Sequence, residues 1–185
     1  MKFRWASTLF CPLALAAALM AVARNGAGVD LGPWAREERR SQDWVSVDFR
    51  EPYSGLFLAA RAGTEDAKSR ATLTLTAAPA YRCAPETVVV IQQDKPEPQD
   101  ATQAATLVAQ IDTQAPRRLR AQIVKERDDV FLFVEVLDRL SPDDLKHHQS
   151  LTITLPGKPS VRFSLRGFEP AWNQTLRSCR SFSAP

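Results

Sequence analysis

Histidine occurs only twice in this chain of 185 residues, cysteine three times and glycine seven times. With histidine confined to His147 and His148, imidazole metal centres and histidine-served nucleophiles have almost no material to draw on. Neighbouring residues on a helix point about 100 degrees apart, so these two cannot share a metal as residues four apart do, even with Asp143 and Asp144 nearby. No Gly-x-Ser-x-Gly and no Cys-x-x-Cys occurs. Gly26-Ala27-Gly28 with Gly32 has neither the spacing nor the preceding strand of a dinucleotide loop. No catalytic residue, cofactor site or metal site is expected.

Charge of one sign is also missing. If the chain is cut after Ala23, Lys2 and Arg4 leave the 24 basic residues, so 22 remain against 21 acidic ones. A nearly neutral body has no electrostatic case for nucleic acid, which needs a concentrated positive face. Arg39-Arg40 and Arg117-Arg118 with Arg120 read as solvated surface, the first diluted by Glu37, Glu38 and Asp43. Beyond residue 23 no apolar run reaches spanning length, and Val130 to Leu137 is strand-sized and holds Glu135.

What is present begins at the N-terminus. Two basic residues in Met1 to Trp5, a nearly unbroken apolar stretch from Leu9 to Val22 and small residues at Ala21 and Ala23 make an export signal over residues 1–23. Cys11 lies inside that stretch, is not placed for lipid attachment and leaves with it. An even pair remains in an oxidising compartment, and Cys83 and Cys179 are expected to form a disulfide. Localisation is therefore periplasmic or secreted.

Residues 24–42 have no sustained period and read as a flexible leader with at most a helical turn in Ala35 to Arg40. A single β-rich domain is expected over residues 43–185. Alternation marks strands at Val45 to Phe49, Leu56 to Arg61, Ala71 to Thr76, Thr106 to Asp112, Arg118 to Lys125, Leu151 to Leu155 and Val161 to Leu165. Leu73 and Leu75 should face inward and Thr72, Thr74 and Thr76 outward. Thr87 to Gln92 suits a strand buried on both faces, and Val130 to Leu137 sets Leu132, Val134 and Val136 against Phe131, Phe133 and Glu135. Asp94 to Gln103, with Pro96 and Pro98, reads as an exposed loop. Ser141-Pro142-Asp143-Asp144 signals a short helix near 141–148. Phe168, Trp172, Leu176 and Cys179 recur at helical spacing and end the chain in an amphipathic helix. The whole predicts an all-β antiparallel sandwich or partly closed barrel.

Trp34 and Trp44 are candidate binding aromatics, whereas Trp172 reads as a core anchor and Phe131 or Phe133 as a second buried face. Asp128, Asp129 and Glu135 could in principle furnish a carboxylate pair, although charged hairpin tips are ordinary. Asn173-Gln174-Thr175 matches a glycosylation acceptor inside the terminal helix.

The run Val161-Arg162-Phe163-Ser164-Leu165-Arg166-Gly167-Phe168-Glu169-Pro170-Ala171-Trp172, followed by Leu176 and Cys179, resembles the closing strand and helix of small proteobacterial periplasmic proteins. The named group it is similar to is the invasion-associated locus B family, whose first strand Asp43-Trp44-Val45-Ser46-Val47 also resembles. That family carries a cysteine shortly after the tryptophan, where this chain has Asp48. The resemblance implies a secreted or periplasmic β-sandwich linked in some members to host-cell invasion, with no catalytic residues to transfer. The expected role is a non-enzymatic binding or accessory protein of the bacterial envelope, its partner an envelope or extracellular protein. The alternatives are a hydrolase using carboxylates on Lys125 to Asp129 or Ser141 to His148, and a carrier of lipid or another small ligand, which needs an open apolar cavity.

Overall fold

The computed structural model describes residues 33–138 and 140–182; the expected export signal and residues 24–32 of the leader lie outside them. Ten strands follow in order: β1 (Ala35–Ser41), β2 (Trp44–Arg50), β3 (Phe57–Asp66), β4 (Ala71–Ala77), β5 (Pro85–Gln92), β6 (Ala101–Ile111), β7 (Arg117–Lys125), β8 (Phe131–Val136), β9 (Ser150–Thr154) and β10 (Val161–Ser164). Helix α1 (Pro142–Leu145) precedes β9 and helix α2 (Phe168–Ser181) ends the fold. Every ladder is antiparallel, and the strands form one sheet in the order β1-β2-β3-β4-β5-β8-β7-β6-β9-β10.

Of the two expected arrangements, sandwich or partly closed barrel, that order corrects the first: the antiparallel strands make one sheet that is not closed, and not two facing ones. β5 pairs with β8 and not with β6, so the long β6–β7 hairpin is spliced into one continuous ladder that does not close. Period-two alternation says which side chains share a face; it says nothing of how far a sheet curls. The curl is fastened by side chains. Trp44 Nε1 donates to the Ser164 carbonyl at 2.8 Å, and Asp43 accepts from the Ser164 hydroxyl at 2.6 Å and from Arg166 Nε at 3.0 Å. The Ser164 hydroxyl foremost, and then Arg166, hold the Asp43 carboxyl below the ordinary carboxylate range against the effect of its partial burial. The start of β2 thus meets the end of β10 across the sheet.

The enclosed face carries Trp44, Leu73, Leu75, Val89, Leu107, Leu132, Val134, Leu151, Ile153 and Phe163 in one cluster. Helix α2 adds Phe168, Ala171, Trp172 and Cys179, with the Phe168 ring edge-on to Trp44 at 4.8 Å. Its Pro170 falls in the first turn, where no backbone donor is needed. α1 is as brief as expected: the Ser141 hydroxyl accepts from Asp143 N at 3.3 Å, and Pro142 takes the first helical position.

The strands are more two-faced than their alternation suggested. Val47, Phe49, Ala59, Val90, Val124 and Phe133 are buried outside that cluster, on the opposite face. Thr74, expected outward, is buried there and donates to the Val88 carbonyl at 3.3 Å. Arg61 shares this face, its guanidinium 5.0 Å over the Phe49 ring and bonded to Thr76 Oγ1 at 2.8 Å; burial pulls its pKa down to about 10. Conversely Ser46 and Asp48, polar by sequence, are buried on the α2 side. Desolvation raises the Asp48 pKa, and the Ser178 side chain of α2 offsets part of that by hydrogen bonding.

Two boundaries also move. Ala35 to Ser41, expected as leader with a helical turn, is the edge strand β1, because Ala35 and Arg36, and then Arg39 to Ser41, pair with β2 on either side of a register shift. Its sequence AREERRS gives no apolar period since neither face is buried, and such charge suits an edge that must not recruit another strand. β6 begins at Ala101, inside the expected loop, where its first half pairs only with β7.

The disulfide forms between Cys83 and Cys179, with Cα atoms 6.0 Å apart and a sequence separation of 96. A loop of that length corresponds to roughly 4 to 5 kcal/mol in the chain-entropy estimate, an upper figure. Cys179→Ser should therefore lower stability by about 3 kcal/mol in urea unfolding, and hydrogen exchange should show the last turn of α2 opening before the sheet. Gly167 has φ +86°, and a Cβ there would lie 1.9 Å from the Ser41 carbonyl oxygen. Gly167→Ala should cost about 2 to 4 kcal/mol by the same measurement, well above an ordinary glycine substitution.

Candidate interaction surface

The turn signal Pro52 to Gly55 separates β2 from β3, and the structure shows what it displays. Glu51 N donates to the Leu56 carbonyl at 2.8 Å and Gly55 N to the Glu51 carbonyl at 2.9 Å, with Gly55 at φ +70°. The Glu51 carboxylate turns inward to accept from the backbone N–H groups of Tyr53 and Ser54, and Arg50 Nη1 donates to the Gly55 carbonyl at 3.3 Å. Bonds from Ser54, through side chain and backbone, hold the Glu51 carboxyl below its ordinary range. A tip bonded this thoroughly leaves Tyr53 98% exposed and Leu56 63% exposed. Local order around outward apolar groups is what a contact surface needs, since the ordering entropy is spent in folding and not on contact.

Behind the tip, Phe57 stacks on Phe182 at 4.6 Å and 16° between planes, and the Arg50 guanidinium lies 4.6 Å over Phe182 and 5.6 Å over Phe57. Arg50 also stands 3.8 Å from both Glu37 and Asp48. The Trp34 carbonyl accepts from Arg50 N at 2.8 Å, which brings the backbone of the partly exposed Trp34 to the Arg50 position. Across β4, a 3-10 turn at Pro79–Tyr81 passes through Arg82 and Cys83, both at positive φ, into the disulfide with α2. Tyr81 and Phe182 are each about half exposed, and the disulfide joins their segments. Leu137 follows β8 at the same end of the ladder, since Val136 pairs with Thr87 and Pro85 with Ala77. The exposed large apolar residues described, Trp34, Tyr53, Leu56, Tyr81, Leu137 and Phe182, thus all lie toward one end of the strands β2, β3, β4, β5 and β8.

Of the residues singled out by sequence, Trp34 joins this surface. Trp44 does not: it is fully buried, its indole committed to Ser164. Trp172 is buried on α2 and Phe133 forms part of the second buried face, while Phe131 is only half-buried. His147 and His148 diverge, the first 3.6 Å from Glu169 on α2 and the second 2.9 Å from Asp112 at the end of β6. Asp112 is a hub of the loop before β9. Partial burial works against its charge, yet hydrogen bonds from Gln149, His148 and Ser150 hold its carboxyl below the usual range. Among the described residues no three His, Cys, Asp or Glu side chains gather as metal ligands would.

The acids of the two loops named above serve local structure. Asp129 accepts from Phe131 N at 3.0 Å, Asp143 pairs with Lys146 at 2.8 Å, and Asp144 pairs with Arg117 at 2.9 Å. Asp128 sits at φ +62° in the β7–β8 turn, and Glu135 lies across β8 from Val88 and Gln122. Asn173 is exposed on α2. The patch itself escaped the sequence reading because its parts are scattered: residues 34, 53, 56, 81 and 182 share no period, and only the ladder register and the disulfide assemble them.

Neither a family model nor a curated protein sequence matches the chain. Among solved structures it is similar to the crystal structure of invasion associated protein B from Bartonella henselae, with a TM-score of 0.54 and 11% sequence identity over 79% of this chain and 99% of that one. The likeness expected from the closing strand and helix is thus present as a likeness of fold.

The tip makes a specific prediction. A carboxylate whose pKa is lower folded than unfolded stabilises above the unfolded value and loses its contribution as pH falls through the folded one. Amide exchange at Tyr53 and Ser54 should therefore stay slow at pH 6 and quicken selectively, relative to the sheet, once Glu51 protonates. Glu51→Ala should show fast exchange there at every pH, with the melting temperature of the whole protein changed by less than about 3 °C.

Proposed function

We propose that this protein is an exported binding or accessory protein of the bacterial envelope, acting by contact through the end that carries Tyr53, Leu56, Tyr81 and Phe182. The observation that carries the reading is the Glu51-bonded hairpin tip, which holds a tyrosine almost wholly in solvent. An isolated exposed aromatic is common; a rigid one grouped with four further apolar residues and arginines has the composition of an interface centre. The disulfide fits an oxidising compartment, and no helix among the described residues is long and apolar enough to cross a membrane. The solved structure with the similar fold is named for association with invasion, which extends the reading to contacts made outside the cell.

Binding is favoured over hydrolysis because Asp129, Asp143 and Asp144 are engaged in a turn bond and ion pairs, and over cargo carriage because large side chains, Trp44, Phe163, Phe168 and Leu151 among them, fill the enclosed face. Hydrogen exchange of the disulfide-bonded protein mixed with its native envelope fraction tests this. Slowed exchange should be confined to residues 51–57, 79–84 and the last turn of α2. Slowing at the opposite end, around Lys158 and Gln93, or none at all, would overturn the assignment.

A further inference from the structure

The arginines beside this surface are poorly neutralised. Arg82 precedes Cys83 and Arg180 follows Cys179, so the disulfide joins the segments that carry these two exposed arginines, neither with an acidic partner among the described residues. Arg177, one turn before Arg180, donates to the uncharged side chain of Gln174 at 2.8 Å. Arg177 and Arg180 bound a shallow depression of about 400 Å³ with Pro170, Asn173 and Leu176. The acids at this end are otherwise engaged: Glu51 holds the hairpin tip, Glu37 pairs with Arg39 and Arg50, Asp138 pairs with Arg120, and Glu86 lies in the field of Arg61 on the opposite face. Net positive charge and protruding apolar side chains therefore coincide.

The shape of the surface matters as much as its charge. Tyr53 and Leu56 stand out on a hairpin tip, Tyr81 is exposed on a separate turn and Phe182, stacked on Phe57, keeps about half its surface exposed at a helix end, so the apolar groups come from separate segments and do not line one pocket. A rigid protein partner would need a matching hollow for each. A fluid interface accepts all of them at once, taking aromatic rings at headgroup depth while arginines reach the phosphates.

We propose that this end of the molecule seats on an anionic lipid surface, with Tyr53, Leu56, Tyr81 and Phe182 entering the headgroup region and Arg82, Arg177 and Arg180 pairing with lipid phosphates. The proposal rests on the reading of this end as the binding surface and names the component bound. It requires no spanning segment, because each contact is a side chain.

The test is cosedimentation of the disulfide-bonded protein with vesicles. Phosphatidylethanolamine vesicles with about 30% phosphatidylglycerol should bind it about tenfold more tightly than phosphatidylcholine vesicles, and the preference should fade in high salt. Arg82→Ser combined with Arg180→Ser should weaken binding to the anionic vesicles about tenfold. Tyr53→Ser with Leu56→Ser should abolish it, and Lys158→Ser, at the opposite end, should leave it unchanged. These side chains are exposed, so each variant should melt as the parent does; one that does not is replaced by Arg177→Ser, for which the same weakening is expected. Equal binding to both vesicles, or anionic binding indifferent to these changes, overturns the proposal. If native envelope protects residues 51–57 while the vesicles bind nothing, the lipid is wrong and a protein receptor occupies the same surface. If neither binds, the surface assignment falls with it.

Discussion

The hydrogen bond from the Trp44 indole to the Ser164 carbonyl, with Asp43 gripping Ser164 and Arg166 beside it, is the constraint on which the architecture turns. Ten antiparallel strands in one ladder have two edges far apart in sequence, and ladder bonds alone place no limit on how the sheet bends. Joining residues 43–44 to residues 164–166 bends it around a single apolar interior. α2 can then run back over β2 and β3, and only in that position does Cys179 meet Cys83. The covalent staple is thus a consequence of the curl and secures it. Gly167 is the point where this crowding shows most plainly, since the chain passes the Ser41 carbonyl with no room for a side chain.

Much of this was legible in the residues, and the reasons differ by element. The leucines of β4 and the unbroken valine run of β5 reported their burial, because side-chain period and strand geometry are locally linked, while the burial of Thr74 on the other face went unread. Ser141-Pro142 fixed the start of α1 through capping chemistry that involves neighbours alone. Pairing at longer range left no such mark. Nothing local distinguishes a β5 that pairs with β6 from one that pairs with β8, nor a set of strands that splits into two sheets from one that forms a single ladder. β1 was missed for the opposite reason: a strand with both faces in water needs no apolar period, and its hydrogen bonds are made by backbone.

Polar residues inside the fold form the other group the sequence concealed. Asp48 is buried beneath α2, where the Ser178 side chain hydrogen-bonds to it and Arg50 stands 3.8 Å away. Arg61 lies buried against Phe49 with Thr76 as one partner. Both sit in strands whose alternation read simply as inside and outside, and both are tolerated because each sheet face is covered near β2 and β3. The interaction surface was hidden in a different way, as residues of ordinary type made neighbours by register and a crosslink.

Because α2 follows all ten strands in sequence, the order of the elements sets an order of events. A polypeptide emerging N-terminus first, from a ribosome or through a membrane channel, presents β2 and β3 long before the helix that covers them. Until the final turn arrives, the Trp44 side of the sheet has no lid, Asp48 has no Ser178 and Cys83 has no mate. Closing the fold therefore waits on α2, and a chain without that helix leaves the Trp44 side of the sheet bare and Cys83 without its disulfide.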